Sequence, residues 1–355
     1  MRFARPARRI LLSALCAVLL AGPAALAGTF KIASFGDARS YKYFMGTTQI
    51  AGGNPNIEGF DWYSAMRQWL TAPAIFGPNV AVTLHEITDA RTDLSGQEFD
   101  LLIMNEVVPL PGEAAHEEAA QIANFVLGGG CLAIFADTLE GGQGNVMGNK
   151  TLAALDGGSE ESGSAGRYSE LVLSGLQNSD AGHFVLDLGA ASNLVWGGAF
   201  DYQVDGQAAD DPLAGDRNDV LDKARFGATY HIGLEPGDWS RIIGSRQTLG
   251  HLSNFMMEIR GSMIDAGLSQ VGAGNVLVVG DTIFANDMVY TNDPQEPVAA
   301  GFAHADPAND NNNYNNARIL LNFVHQQAVP EPSILMLLMA AMAVLVGGCV
   351  WRRFT

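Results

Sequence analysis

The fold is decided by residues 99–135, which read FDLLIMNEVVPLPGEAAHEEAAQIANFVLGGGCLAIF. Asp100 to Met104 is an apolar run typical of a β-strand that is buried on both faces. Pro111 to Leu127 has helical spacing, with acidic side chains toward its N-terminal half, and Gly128 to Gly130 ends the helix. Leu132 to Phe135 is again a buried strand, so the stretch predicts one β-α-β unit.

The same alternation of strands and helices extends outward along the chain. The other predicted elements are strands at Phe30 to Phe35, Val80 to Ile87 and Asn275 to Val279, and helices from Asp61 to about Leu70, near Leu252 to Ala266, and at Tyr314 to Gln326. Apolar residues at helical spacing predict core positions, and these are Trp62, Met66, Trp69, Leu70, Ala317, Leu320, Leu321 and Val324. Together the elements predict an α/β fold with an open, mostly parallel sheet and helices on both faces.

Residues 138 to about 225 differ in character from the rest. They are rich in Gly, Ser, Asp and Asn, and only short apolar strings interrupt them. We interpret the segment as an insertion of loops and short strands within one exported α/β domain, residues 28–329. Whether it forms a separate domain stays open.

Two parts of the chain resemble a known superfamily. The run Phe99 to Asn105, the helix end Asn124-Phe125-Val126 and Gly128 to Leu132 resemble the class I glutamine amidotransferase-like (flavodoxin-like) superfamily. The late stretches Asn275 to Asp281 and Asn316 to Phe323 are similar to the end of its non-catalytic members. The resemblance implies an amidotransferase-like sheet and says more about fold than about chemistry.

Cys131 is the obvious candidate nucleophile, because true amidotransferases carry a cysteine in a Gly-x-Cys-x-Gly elbow. Here the string is Gly129-Gly130-Cys131-Leu132-Ala133, and it follows a helix and begins a strand, the reverse of an elbow. The family's downstream His-Pro-Glu is also missing, since His304-Ala305-Asp306 matches it poorly. We therefore expect a buried, unreactive thiol and predict no catalytic residue.

Polar residues directly follow the predicted strands and form the best candidate ligand-binding set: Asp37, Asn105, Glu106, Asp137 and Asp281. In a parallel sheet these side chains gather along the carboxyl edge, where open α/β folds bind ligands. Their oxygens suit Ca²⁺ or Mg²⁺, so a metal-assisted hydrolase is the alternative function. Asp and Asn at such positions more commonly cap helices and close turns, and that alternative also stays open.

The N-terminus has the layout of a signal peptide, residues 1–27. Its four arginines precede a twelve-residue apolar region, Ile10 to Ala21, and Ala25-Leu26-Ala27 supplies small residues for signal peptidase. Cleavage after Ala27 would leave Gly28 as the first residue of the mature chain.

Residues 330–355 show a three-part order: Pro330-Glu331-Pro332, the uncharged span Ile334 to Trp351, and Arg352-Arg353. The span has the length at which a transmembrane helix begins, and the arginines would hold its end in the cytoplasm. The order resembles the PEP-CTERM sorting signal of Gram-negative bacteria. This resemblance implies processing by exosortase near the motif, after tethering in the inner membrane, and delivery to the cell surface or the extracellular polysaccharide.

Composition limits the partners. The chain has 20 basic and 38 acidic residues, and without the two terminal segments it keeps 14 basic and 37 acidic residues, a net charge of −23. Such a charge repels nucleic acid, so we expect none as a partner. Extracellular polysaccharide or another envelope protein is the expected partner of a binding or structural protein. Cys131 is the one cysteine outside the terminal segments, so no disulfide forms within residues 28–329.

Overall fold

The computed structural model describes residues 28–36, 38–40, 43–46, 63–72, 76, 80–96, 98–135, 146–155, 173–178, 182–186, 223–226, 229–232, 241–248, 251–269, 271–280 and 313–328. The strands are β1 (Gly28–Phe35), β2 (Val80–Ile87), β3 (Leu101–Asn105), β4 (Cys131–Phe135), β5 (Leu173–Asn178), β6 (Gly182–Leu186), β7 (Lys223–Phe226), β8 (Thr229–Ile232), β9 (Arg241–Thr248), β10 (His251–Ile259) and β11 (Val276–Val279). The helices are α1 (Ser64–Thr71), α2 (Ala90–Asp93), α3 (Glu113–Leu127), α4 (Val146–Ala154), α5 (Gly261–Leu268) and α6 (Asn313–Ala328).

Nine strands form one open sheet in the order β2-β1-β3-β4-β11-β10-β9-β6-β7, and β5 pairs with β8 in a separate ribbon. The first five strands are parallel to one another. The remaining four extend the sheet by antiparallel pairing. The chain is therefore an α/β protein, as the alternating pattern predicts.

The parallel strands carry a core on each face. Every residue of β3, β4 and β11 is buried, which explains their unbroken apolar sequences. Alternate residues such as Leu102 and Ile134 form one cluster with α2, α3, α4 and α5. The intervening residues face α1 and α6, on which the predicted core residues Met66, Trp69, Leu70, Leu320, Leu321 and Val324 are all buried. Trp62 and the Ala317 side chain lie outside the described residues.

Helix α3 shows how its sequence selects both its buried face and its end. The buried side chains follow helical spacing: Ala115, Glu118, Ala119, Ile122, Ala123 and Val126. The N–H of Gly128 returns to the carbonyl of Asn124 at 2.9 Å, and Gly129 then turns the chain with φ of 103°. Only glycine adopts that backbone without strain, so the glycine triplet connects α3 directly to β4.

One predicted element is wrong. The helix expected near Leu252 to Ala266 is instead strand β10 followed by helix α5. Strand β10 lies between β9 and β11 and pairs with both, so sheet hydrogen bonds outweigh the helical spacing of its apolar residues. The helix begins only at Gly261, where a side chain would collide with the backbone of Ala273.

The predicted insertion contributes to the main architecture. Helix α4 lies within it and was not predicted from the sequence; its residues Met147 and Leu152 join the core cluster beside α3. Strand β6 pairs with β9, which brings part of the insertion into the nine-stranded sheet.

The predicted processing residues Ala27, Pro330, Glu331, Pro332, Arg352 and Arg353 lie outside the described residues, whereas Gly28 is the first residue of β1. The described part of the chain contains no helix with both the length and the apolar character needed to cross a membrane. The predicted span, residues 334–351, lies beyond that part.

Candidate functional site

The candidate site lies where the strand order reverses. From β1 the chain adds β2 on one side, and the next connection then passes from β2 to β3 on the other side of β1. Such a reversal opens a crevice at the carboxyl ends of the two strands, the usual ligand position in open α/β sheets. Here the crevice lies between the ends of β1 and β3, beside the predicted residues Asn105 and Glu106.

Asn105, the last residue of β3, anchors the floor of the crevice. It is fully buried, and its amide Nδ2 donates a hydrogen bond of 2.7 Å to the hydroxyl of Tyr63. Its main-chain carbonyl accepts a hydrogen bond of 2.6 Å from Ser40 Oγ. Tyr63 precedes α1 and packs against the ring of Phe44, with centroids 5.1 Å apart. Asn105 thus joins β3 to Tyr63 through its side chain and to the loop after β1 through its main chain.

Glu106 follows directly and has an unusual backbone. Its φ is 46°, in the left-handed region that non-glycine residues enter at a cost of roughly 1–2 kcal/mol. The residue is only 2% exposed, and its N–H donates to the carbonyl of Phe135 in β4 at 3.0 Å. Strain of this kind concentrates at ligand-binding and catalytic positions. The turn holds an acidic residue at the point where the strand order reverses.

Ser34 adds a buried hydroxyl to the same face of the sheet. It pairs in register with Ile103, two residues before Asn105. Ser34 is fully buried, and its Oγ has no hydrogen-bond partner among the described residues. Because buried polar groups almost always have a hydrogen-bond partner, a water molecule or a ligand group is expected to form a hydrogen bond with this hydroxyl.

The end of β2 lies against the loop that follows β1. Glu86 accepts a hydrogen bond from the hydroxyl of Tyr43, and its side chain lies against Gly36, the residue that follows β1. A Cβ at Gly36 would stand 2.7 Å from Glu86 Oε1. A side chain at this position would displace the exposed Glu86 carboxylate, so the loop passes close beneath it only with glycine or after the Glu86 side chain moves.

The loop after β1 is held in place by a charged contact that sequence reasoning missed. The guanidinium of Arg39 binds the carboxylate of Glu118 through two hydrogen bonds, of 2.8 Å and 2.6 Å. It also donates to the carbonyls of Val108 and Thr88 and lies 5.0 Å above the ring of Phe35. The carboxylate of Glu118 is fully buried. The signal for this contact was present, because Glu118 interrupts the apolar stripe of α3.

Three of the predicted carboxylates, Asp37, Asp137 and Asp281, lie outside the described residues. The predicted Ca²⁺ or Mg²⁺ site that depends on them therefore stays a prediction. Within the described ranges, no three His, Cys, Asp or Glu side chains come together closely enough to hold a metal ion. Asn105 and Glu106 are the members of the predicted set that the structure places at the crevice.

Cys131 lies at the opposite edge of the sheet, as the first residue of β4. It is buried, and its Sγ donates to Gln327 Oε1 at 3.3 Å. Burial raises the pKa of this thiol to about 11, so it is protonated near neutral pH. A nucleophile needs an accessible thiolate, and this environment provides neither the access nor the charge.

No family model matches the chain, and neither does any curated protein. Among solved structures, the chain is similar to a cytoplasmic protein from Salmonella typhimurium. The two are 8% identical, with a TM-score of 0.37 over 83% of this chain and 97% of that chain. A likeness at this level supports no inference about function.

Proposed function

We propose that this chain is an exported protein of the cell surface or extracellular matrix that binds a partner and catalyses no reaction. The observation that carries the binding role is Glu106, a buried acidic residue in a left-handed turn at the switch point between β1 and β3. Proteins retain such backbone strain mainly where the strained residue has a function. The turn directly follows Asn105, which hydrogen bonds with Tyr63 and Ser40 hold in place.

The export part of the proposal rests on the two terminal segments of the sequence. A basic region, an apolar region and Ala25-Leu26-Ala27 form the expected signal peptide. Cleavage after Ala27 would leave every described residue of β1, Gly28–Phe35, in the mature chain. The order Pro330-Glu331-Pro332, apolar span and Arg352-Arg353 supports sorting by an exosortase-like enzyme.

The net charge of the protein limits the kinds of partner that it can bind. The segment between the two terminal regions carries a net charge of −23, which disfavours nucleic acid and polyanionic polymers. An uncharged extracellular polysaccharide, or an envelope protein with a basic surface, avoids this repulsion. We favour these two as partners.

The sorting proposal is tested by changing Pro330, Glu331 and Pro332 together to alanine in cells that express the full chain. We expect the triple variant to accumulate in the membrane fraction, whereas the unchanged protein reaches the surface or the medium. A matched control changes Pro294, Glu296 and Pro297 to alanine, because this similar string precedes no apolar span. Equal release of all three proteins would refute sorting through the motif.

A further inference from the structure

We propose that a cleft at the amino edge of the parallel sheet is a binding site for uncharged sugar rings. The cleft lies at the edge of the sheet opposite Glu106, and its volume is about 560 Å³. This size falls within the range of about 300–1,000 Å³ found for small-ligand sites. This cleft is a second site, separate from Glu106, for the uncharged polysaccharide favoured above, and the proposal rests on that proposed function only for the setting in which the ligand is met.

Aromatic rings from three different elements line the cleft. Phe30 belongs to β1, Phe99 precedes β3, and Phe125 comes from the last turn of α3. The face of an aromatic ring carries partial negative charge and attracts the polarised C–H bonds on the apolar face of a pyranose. Phe99 is further positioned by His85, whose ring centroid lies 5.5 Å away. Phe30 and Phe99 are each only 7% exposed, so the half-buried ring of Phe125 provides the surface on which a sugar stacks.

Around the rings the cleft presents carboxylates and amides: Glu98, Asp100, Gln121, Asn124 and Gln327. Carboxylates accept, and amides both donate and accept, so the set matches the alternating donors and acceptors of sugar hydroxyls. Two members are already fixed. Asp100 Oδ2 accepts the Lys31 N–H at 2.7 Å. Gln327 Oε1 accepts from Asn275 Nδ2 at 2.9 Å, which leaves the amide Nε2 of Gln327 as its donor end. A site with fixed polar groups loses little entropy when it binds.

The charge of the cleft selects against acidic sugars. Of the described residues that line it, none is Lys or Arg, whereas Glu98 and Asp100 are acidic. A uronate, sulfate or phosphate would enter without a cationic partner and against a strongly negative protein. The geometry thus points to uncharged hexose units rather than anionic polymers.

The Phe125 ring can keep its position only if residue 130 has no side chain, and this makes the proposal testable. Its ring lies across Gly130, and a Cβ at Gly130 would collide with three atoms of the ring. The change Gly130→Ala therefore pushes the Phe125 ring out of its position without altering any polar group of the cleft. Phe125→Leu removes the ring and keeps an apolar side chain in its place.

The test uses the full chain, purified in a zwitterionic detergent without a sugar headgroup. Cellohexaose, maltohexaose and laminarihexaose are the uncharged probes, oligogalacturonate is the anionic probe, and chitosan hexamer is the cationic probe. Calorimetry gives affinity, and saturation-transfer NMR identifies the sugar protons that touch the protein. Near-UV circular dichroism verifies that each variant is folded.

We expect at least one uncharged hexamer to bind and oligogalacturonate not to bind. Phe125→Leu and Gly130→Ala should each weaken binding about tenfold, the loss of one well-placed aromatic contact. Glu98→Gln should weaken it severalfold, and the matched control Glu117→Gln, on the exposed surface of α3, should leave it unchanged. The proposal is overturned if no uncharged hexamer binds, if only chitosan binds, or if folded Phe125→Leu and Gly130→Ala proteins bind as well as the original. Because binding is measured in solution, its failure would leave the sorting proposal intact, and failed sorting would leave this result intact.

Discussion

Arg39 and Glu118 join the loop after β1 to helix α3 through a two-pronged ion pair, in which the carboxylate is fully buried. Glu118 Oε1 also accepts the N–H of Ala90 at 3.0 Å, which ties the start of α2 to the same point. Three segments that surround the end of β1 therefore share one carboxylate. The position of the crevice between β1 and β3 depends on this contact.

Breaking the pair should be costly. We expect Glu118→Gln to lower the free energy of unfolding by about 3–5 kcal/mol, because Arg39 would keep its charge at an almost closed site. Glu117→Gln is the neighbouring control, since Glu117 is 63% exposed and its pair with Arg91 contributes little. Urea unfolding of both variants makes the comparison. If Glu118→Gln costs no more than Glu117→Gln, the pair does not organise the loop.

The hydroxyl of Tyr63 should matter more than that of Tyr43. Tyr63→Phe removes the acceptor of the buried Asn105 amide, so we expect a loss of about 1–3 kcal/mol in the free energy of unfolding. Tyr43→Phe removes a hydrogen bond to Glu86 at an exposed position and should cost less than about 1 kcal/mol. Thermal midpoints compare the pair directly. An equal effect of the two changes would show that the Asn105 contact is not part of a buried network.

Glu106 offers a test of backbone strain that is separate from its carboxylate. Glu106→Gly and Glu106→Ala both remove the carboxylate, but only glycine relieves a φ of 46°. We therefore expect the glycine variant to be more stable than the alanine variant by about 1 kcal/mol. Denaturant titration of both proteins provides the measurement. An alanine variant at least as stable as the glycine variant would contradict the left-handed turn.

The Cys131 thiol should be inert in the folded protein. With its pKa raised to about 11, only about one thiol in a thousand is ionised at pH 8. Iodoacetamide at that pH should therefore label Cys131 only after denaturation, as peptide mapping by mass spectrometry can report. Rapid labelling of the folded chain would contradict the buried environment.

The same burial predicts a dependence of stability on pH. The folded pKa lies above the ordinary value of 9.0, so the folded state holds the thiol proton more tightly than the unfolded state. This contribution is fully present below pH 9 and is lost as the pH rises toward 11. Cys131→Ala should remove that part of the decline in thermal midpoint, whereas an unchanged decline would assign it to other groups.

Local patterns predicted the parallel half of the fold well. The stretch Leu101 to Phe135 has two unbroken apolar strands and a helix with clear helical spacing, and each forms the element that its pattern indicates. The prediction for strand β10 was wrong because its strand conformation depends on pairing with other strands, which local spacing does not show. Glu258 lies fully buried in it, between Arg241 at 2.6 Å and Arg260 at 3.1 Å, and no local spacing reveals that arrangement.

The candidate site was predictable only in part, because some of its residues follow a local pattern and others depend on distant contacts. Asn105 and Glu106 follow an apolar strand, and this position alone predicts the carboxyl edge. Tyr63 and Arg39 reach the site through contacts that span 42 and 79 residues of the chain. Spacing along the sequence carries no information on such pairs. A charged residue inside the buried stripe of α3 was the one local indication.

Export followed by processing at both ends can be checked by the intact mass of the protein recovered from membrane, surface and medium fractions. We expect a species that begins at Gly28 and ends near Pro330, found outside the membrane fraction. A chain that keeps residues 334–355 and stays in the membrane would contradict release. It would instead identify a membrane-anchored domain.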